Sequence, residues 1–284
     1  MLKAEYQHRG PQPHEVIAAV ELQLPELGAG QVRIKVLAAP INPSDVLTLT
    51  GEYGMLPPLP AVGGNEGVGR VEVLGPEVSN LKVGQMVLLP VGCGTWVSHL
   101  NAPANKLIPL PEADPQQLAM LTVNPPTASL MLSEFVDLKP GDWVIQNAAN
   151  SGVGSYLIQL AKLRGFKTIN VVRRESAVAG VEAEGGDVVL VDGPDLAKRV
   201  RAATGGASVR LGIDAVGGEA TDHLAASLCE GGVLVNYGMM SRQPCQVSPA
   251  SFVFRDVSLR GFWLAKWFQN ASQAEQMKVF GELV

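Results

Sequence analysis

The stretch NAANSGVGSYLIQLAKLRGFKTINVVRRES, residues 147–176, decides the fold. Just before it, WVIQN (Trp143 to Asn147) is an apolar run of strand length. After a turn of small residues, Val153, Leu157, Leu160 and Ala161 place one apolar face on a helix. TINVV, Thr168 to Val172, is the next strand. A strand, a tight turn and a helix make an anion site for physical reasons. The first helical turn leaves N–H groups unpaired, and the helix dipole is positive there. The three glycine positions of a dinucleotide fingerprint are held here by Ala149, Ser151 and Gly154, with Gly152 between the last two. Alanine keeps the turn small, serine adds a hydroxyl, and Gly154 keeps helix and strand close. The alternative is an ordinary strand–turn–helix with small residues for packing. The order of elements around the turn favours a dinucleotide.

The end of the second strand selects which one. An acid there would bind the ribose 2′-hydroxyl of NADH and repel a 2′-phosphate. Arg173 and Arg174 stand there instead, followed by Glu175. Two guanidinium groups suit a phosphate through forked, charge-assisted hydrogen bonds. The expected cofactor is therefore NADPH. A solvated charge cluster on a surface loop is the other reading of the same residues.

Further along, DVVLV, VRLGIDAV, GVLVNYG and VSLRGFW follow, separated by helices or turns. Such alternation predicts a parallel sheet with right-handed crossovers, a doubly wound α/β (Rossmann) domain. The first third of the chain differs. QVRIKVLAA (Gln31 to Ala39) alternates with period two, and GVGRVEVLG (Gly67 to Gly75) and GQMVLLPV (Gly84 to Val91) read alike. These strands and their Pro/Gly turns predict a small barrel-like β unit. The character changes after Pro111, where DPQQLAMLTVNPPTASLMLSEF has helical spacing interrupted at Pro125 and Pro126. The expected domains are residues 1–120, β-rich, and 121–265, nucleotide-binding, with 266–284 returning towards the first. Ser272 to Val284 reads as an amphipathic helix with no cap at its end, so the expectation is of a chain lacking its C-terminus.

The 284 residues suit two domains, and 46% hydrophobic with 17% charged residues is ordinary for a soluble globular protein. A net charge of −5 without Lys/Arg-rich runs gives no reason to expect nucleic acid. No apolar stretch is long enough to span a bilayer. MLKAEYQHRGPQPHEVI has no leader character, which points to the cytoplasm. Cys93, Cys229 and Cys245 are scattered, and His8, His14, His99 and His223 form no HxxxH pattern. A zinc site built from this chain is not expected.

APINPSDVLTLTGEYGMLPPLPAVGGNEGVGRV, together with the nucleotide turn, resembles the medium-chain dehydrogenase/reductase superfamily. Its zinc-dependent members carry a ligand Cys and a Gly-His-Glu where this chain has Pro43 and Asn65. Among zinc-free members, the chain is similar to trans-2-enoyl thioester reductases of the mitochondrial type. NPSD, GEYGMLPPLPAVGGNEGVG, TVNPPTA, NSGVG, TINVVRRES and LRGFWLAKW carry the resemblance in order, from about Ala39 to Trp267.

The resemblance implies a GroES-like catalytic domain beside the Rossmann domain, and NADPH-dependent reduction of an enoyl thioester carried on coenzyme A or acyl carrier protein. It implies Tyr53 as proton donor and Asn124 as a cofactor contact. It further implies Ser151, Gly152, Val153 and Gly154 at the pyrophosphate and Arg173, Arg174 and Glu175 at the adenosine ribose phosphate. Tyr237, Gly238, Met239 and Met240, with Phe262, Trp263, Leu264 and Ala265, would lie along the nicotinamide half. Each has a plainer reading. Tyr53 suits a packed turn, Asn124 a helix cap, the two methionines core filling, and Phe262 and Trp263 a sheet edge. The substrate is expected between the two domains, with Leu56, Leu59 and Phe262 as candidate walls and Lys266, Arg242 and Arg255 as candidate basic rim. The resemblance also suggests a homodimer, with VSLRGFWL as pairing edge. A quinone or enone reductase of the same superfamily is the nearest alternative, and a non-catalytic NADPH-binding protein a more distant one.

Overall fold

The computed structural model describes residues 1–283; Val284, the last residue of the helix read at the C-terminus, lies outside the described residues. The chain divides into two units, Met1–Val123 and the remainder from Asn124.

The first unit holds eight strands: β1 (Leu2–Tyr6), β2 (Ile17–Glu21), β3 (Gln31–Ala38), β4 (Ala61–Val62), β5 (Val68–Leu74), β6 (Met86–Leu88), β7 (His99–Pro103) and β8 (Ile108–Pro109). Three short helices accompany them, α1 (Pro13–Val16), α2 (Pro43–Thr50) and α3 (Pro115–Leu118). The strands form a five-stranded sheet, β7–β3–β5–β6–β8, and a three-stranded one, β2–β1–β4. Alternation in β3 does what the period requires: Val32 and Ile34 are fully buried, packed with Val71, Val87 and Ala102. The N-terminal sheet has no comparable signal. LKAEY and IAAVE pair antiparallel from Leu2↔Glu21 to Tyr6↔Ile17, and of β1 only Tyr6 is fully buried.

α2 matters most for the site. Asn42 precedes it in extended conformation, Pro43 opens it, and the Asn42 N–H donates to the Asp45 carboxylate at 2.7 Å. It ends at Gly51, whose φ of 84° is the left-handed cap conformation that glycine adopts without steric cost.

The second unit opens with α4 (Asn124–Met131). The helical spacing from Asp114 to Phe135 predicts one helix interrupted at Pro125 and Pro126. The structure instead ends α3 at Leu118, turns, and starts a new helix at Asn124. Both prolines sit in its first turn, where a missing N–H removes no helical hydrogen bond. The sheet strands are β9 (Trp143–Gln146), β10 (Lys167–Val172), β11 (Val188–Val191), β12 (Val209–Asp214), β13 (Val233–Asn236) and β14 (Ser258–Gly261). They alternate with α5 (Gly152–Leu163), α6 (Val178–Ala183), α7 (Leu196–Ala203), α8 (Glu219–Ser227) and α9 (Pro249–Arg255); α10 (Leu264–Asn270) and α11 (Gln273–Leu283) follow.

All six strands are parallel, in the order β11–β10–β9–β12–β13–β14, the doubly wound arrangement. Both faces are covered. Val144, Leu211, Ile213 and Val235 pack with Ala128 and Met131 of α4 and Leu157 and Ala161 of α5. Ile145, Ile169 and Leu234 pack on the other face with Leu196, Val200 and Leu224. Neighbours Val144 and Ile145 thus belong to opposite layers, as the pleat dictates. Strand order reverses between β9 and β12, which makes the carboxyl edge there the place where such sheets bind ligands. α11 lies against α4 and is opened by a capping box between Ser272 and Glu275. Among the described residues, no helix is long and apolar enough to cross a membrane.

Candidate functional site

The nucleotide turn runs from β9 into α5. Ser151 is the N-cap, extended at φ −90° and ψ 167°, and its hydroxyl accepts from the Gly154 N–H at 3.2 Å. Gly152 is exposed at the first helical position, and Val153 and Gly154 are buried. A Cβ on Gly154 would lie 2.4 Å from the Ala149 carbonyl oxygen, so glycine is required for helix and turn to approach this closely. At the end of β10, Arg173, Arg174 and Glu175 are all exposed. Among the described residues, neither arginine has an ion pair or side-chain hydrogen bond within the chain, so both guanidiniums are open to an anion. These residues fit a dinucleotide with a 2′-phosphate: small turn, helix N-terminus, free cations and no acid terminating the second strand.

A buried carboxylate knits the neighbouring loops together. Asp214, at the end of β12, has no exposed surface. One oxygen accepts from the Asn147 amide at 2.6 Å and from the N–H groups of Val216 and Gly217 at 2.9 and 3.1 Å. The other accepts from the Thr221 hydroxyl at 2.7 Å and the Asn236 amide at 3.0 Å. The loops after β9, β12 and β13 are therefore tied to one residue. Tyr237 follows β13; burial pushes the pKa of its hydroxyl up, against the opposing influence of Ser151 nearby. A Cβ on Gly238 would lie 2.5 Å from the Ala215 carbonyl oxygen. Met239 and Met240 are 47% and 60% exposed, so they are not core filling. Asn124 is buried at the start of α4. Phe262 packs edge-on against Phe135, with ring centroids 6.1 Å apart, while Trp263 caps and Leu264 and Ala265 open α10. Sequence reading missed Asp214. Its signal was an acid closing an apolar strand before two glycines, GIDAVGG. Arg255, one of the three candidate rim cations, is committed elsewhere: its guanidinium donates to the carbonyls of Ala225, Ala226 and Leu228 at the end of α8.

In the first unit, Tyr53 is half-buried just past Gly51. The N–H groups of Glu52 and Tyr53 donate to the Leu47 carbonyl at 2.9 and 3.1 Å, so the end of α2 fixes the tyrosine's backbone. Leu56 and Leu59 are 42% and 38% exposed, which removes core packing as their explanation.

The positions where zinc-dependent relatives carry ligands serve a different network. Pro43 has no donor atom, and the Asn65 amide donates to Asp45 at 2.7 Å. Glu66, fully buried, accepts from the Asn42 amide at 2.8 Å and from the N–H and hydroxyl of Thr122 at 3.1 and 2.8 Å. Burial raises the pKa of Asp45 and of Glu66 despite these hydrogen bonds. An amide nitrogen turned to a carboxylate does not ligate a metal, so these residues do not fit zinc. Among the described residues, no group of three His, Cys, Asp or Glu is gathered.

Residues 28–112 match the alcohol dehydrogenase GroES-like domain, and residues 152–278 match the zinc-binding dehydrogenase family. The chain is 42% identical over 279 residues to the mitochondrial enoyl-[acyl-carrier-protein] reductase of Rattus norvegicus, covering 96% of this chain and 74% of that protein. The structure of the Etr1p/NADP/crotonyl-CoA complex superposes with a TM-score of 0.90 at 27% identity, covering 100% of this chain and 87% of that one. A mycobacterial quinone oxidoreductase superposes with a TM-score of 0.80 at 30% identity, with the same coverage.

Proposed function

The chain belongs to the enoyl thioester reductase family of the medium-chain dehydrogenase/reductase superfamily, and on that premise we propose that it reduces the carbon–carbon double bond of trans-2-enoyl thioesters. The likeness to an enoyl reductase across nearly the whole chain carries this reading. NADPH, when bound, supplies the hydride that adds to the β-carbon.

The chain's own residues supply the rest. Ser151, Gly152 and the first turn of α5 hold the pyrophosphate, and Arg173 and Arg174 pair the 2′-phosphate. Charge then collects on the thioester oxygen as an enolate. Tyr53 donates a hydrogen bond to that charge; as the thioester carbonyl re-forms its proton goes to the α-carbon, and the phenolate left behind regains a proton from water. A phenol can both donate a hydrogen bond to developing charge and give up a proton. The exposed Leu56 and Leu59 give an acyl chain an apolar surface, and Lys266 and Arg242 are the cations left for a carrier's phosphates. Tyr53→Phe is expected to lower turnover about a hundredfold or more while NADPH binding persists. Wild-type turnover in that variant removes Tyr53 from the mechanism.

Quinone or enone reduction is a second reading, favoured by the mycobacterial likeness. Rates with crotonyl-CoA and with a simple quinone separate the two. Assembly as a homodimer through β14 is supported by its position at the sheet edge, all four residues exposed, and by Phe252, Val253 and Phe254 of α9, 42%, 71% and 79% exposed. Sedimentation at twice the chain mass is expected; a monomer at micromolar concentration would refute it.

A further inference from the structure

Arg9 is far from Tyr53 in sequence, yet its side chain touches both flanks of the segment that carries it. Arg9 follows β1, whose last residue, Tyr6, is 1% exposed. The next residue is fastened to the end of α2, since the Gly10 N–H donates to the Leu49 carbonyl at 3.2 Å. The Arg9 stem lies over Gly51: a Cβ built there would sit 3.3 Å from Arg9 Cδ and 3.6 Å from Arg9 Cβ. The guanidinium reaches the far flank, where its Nη2 donates to the carbonyl of Pro57. It also lies beside the Tyr6 hydroxyl, where its charge opposes the rise in the tyrosine's pKa that burial causes.

The loop from Glu52 to Pro60 has no helix or strand of its own. Its start is set by the cap of α2, through the Glu52 and Tyr53 N–H groups on Leu47. Past Tyr53, Met55, Leu56 and Leu59 are exposed and add little burial to hold it. Arg9 joins the start of this loop to its middle through a single side chain, whose backbone is held at the next residue by the Gly10 bond to Leu49.

We infer that Arg9 is a positioning residue for the reduction: it braces the loop between Gly51 and Pro57 so that the Tyr53 hydroxyl is held where charge develops on the substrate. The inference rests on Tyr53 being the proton donor. Its physical basis is that a catalytic group displaced by about 1 Å loses on the order of a hundredfold in rate. The contacts of Arg9 named above all lie in the first unit, whereas the nucleotide turn and β10 belong to the second, so nucleotide affinity is not expected to depend on it.

The test is a double-mutant cycle with Tyr53→Phe, read as NADPH oxidation at saturating crotonyl-CoA, with NADPH affinity and melting temperature measured alongside. Arg9→Ala is expected to lower kcat about tenfold or more with NADPH affinity unchanged. In the Tyr53→Phe background the same change is expected to cost less than about twofold, because the group it positions is already gone. Arg9→Met keeps the stem over Gly51 and removes the tie to Pro57, and it carries the same test if the alanine variant does not fold. Wild-type kcat in Arg9→Met, or an equal loss with and without the Tyr53 hydroxyl, overturns the inference. Wild-type turnover in Tyr53→Phe alone instead overturns the assignment of the proton donor, so the two failures are distinguishable.

Discussion

Replacing Gly154 with alanine sets one methyl group against the backbone of the nucleotide turn. Its Cβ would lie 2.4 Å from the Ala149 carbonyl oxygen, 2.7 Å from that carbonyl carbon and 2.8 Å from the Ala148 carbonyl oxygen. Non-bonded heavy atoms settle at about 3.5 Å or more, so turn and helix must part by roughly an ångström. Ala149 has nowhere to go, being fully buried with Ile158, Val172 and Val181. Overpacking that displaces backbone costs about 1–3 kcal/mol, and the better helix propensity of alanine offsets less than about 1 kcal/mol. A net cost of about 1–2 kcal/mol lowers the melting temperature by roughly 2–8 °C in a domain of this size. The same movement displaces Ser151 and Gly152, the residues proposed to hold the pyrophosphate, so the KM for NADPH is expected to rise about tenfold. Gly180→Ala is the control. That glycine is exposed in α6 with nothing within 4 Å of a built Cβ, and alanine there should stabilise by up to about 1 kcal/mol. Thermal denaturation and initial rates of NADPH oxidation read both effects. Wild-type melting temperature and NADPH KM in Gly154→Ala would refute the close-approach argument.

Two further changes test the charges. Removing both guanidiniums in Arg173→Ala/Arg174→Ala is expected to lower kcat/KM for NADPH about tenfold to a hundredfold and to leave NADH within about threefold, since exposed charge-assisted contacts are each worth about 1 kcal/mol. Equal losses with both nucleotides would contradict their role at the 2′-phosphate. Glu66 tests linkage to pH. Burial raises its folded pKa, so the folded protein binds this proton more tightly than the unfolded chain. Its contribution to stability is therefore fully present below the unfolded carboxylate value and is lost as pH rises through the raised one. In Glu66→Gln that decline is absent, so the melting temperature of the variant should gain on wild type as pH rises above about 4, the unfolded carboxylate range. A pH-independent difference between the two would contradict it.

Much of this was legible in the sequence because the signals were local. The alternation in β3, the helical face of α5 and the strand order around Gly154 each follow from spacing within a dozen residues. Arg173 and Arg174 were readable because the end of β10 is a defined place in the fold. What escaped was set by distant contacts. The pairing of β1 with β2 and β4 depends on partners as remote as Val62, and the strands themselves alternate poorly. Asp214 and Glu66 look like ordinary acids until burial and their donors are seen. Arg9 has no motif at all; only the folded chain brings it to Gly51 and Pro57. Pro125 and Pro126 were visible, but whether a proline pair breaks a helix or begins one depends on where the preceding helix stops.

The most direct test of the account is the rate of nucleotide oxidation by the wild-type protein with trans-2-butenoyl-CoA, measured with NADPH and again with NADH. Rapid oxidation of NADPH, much slower oxidation of NADH and formation of the saturated thioester are the predicted result. Failure to reduce the thioester with either nucleotide, while a quinone is reduced, would contradict it.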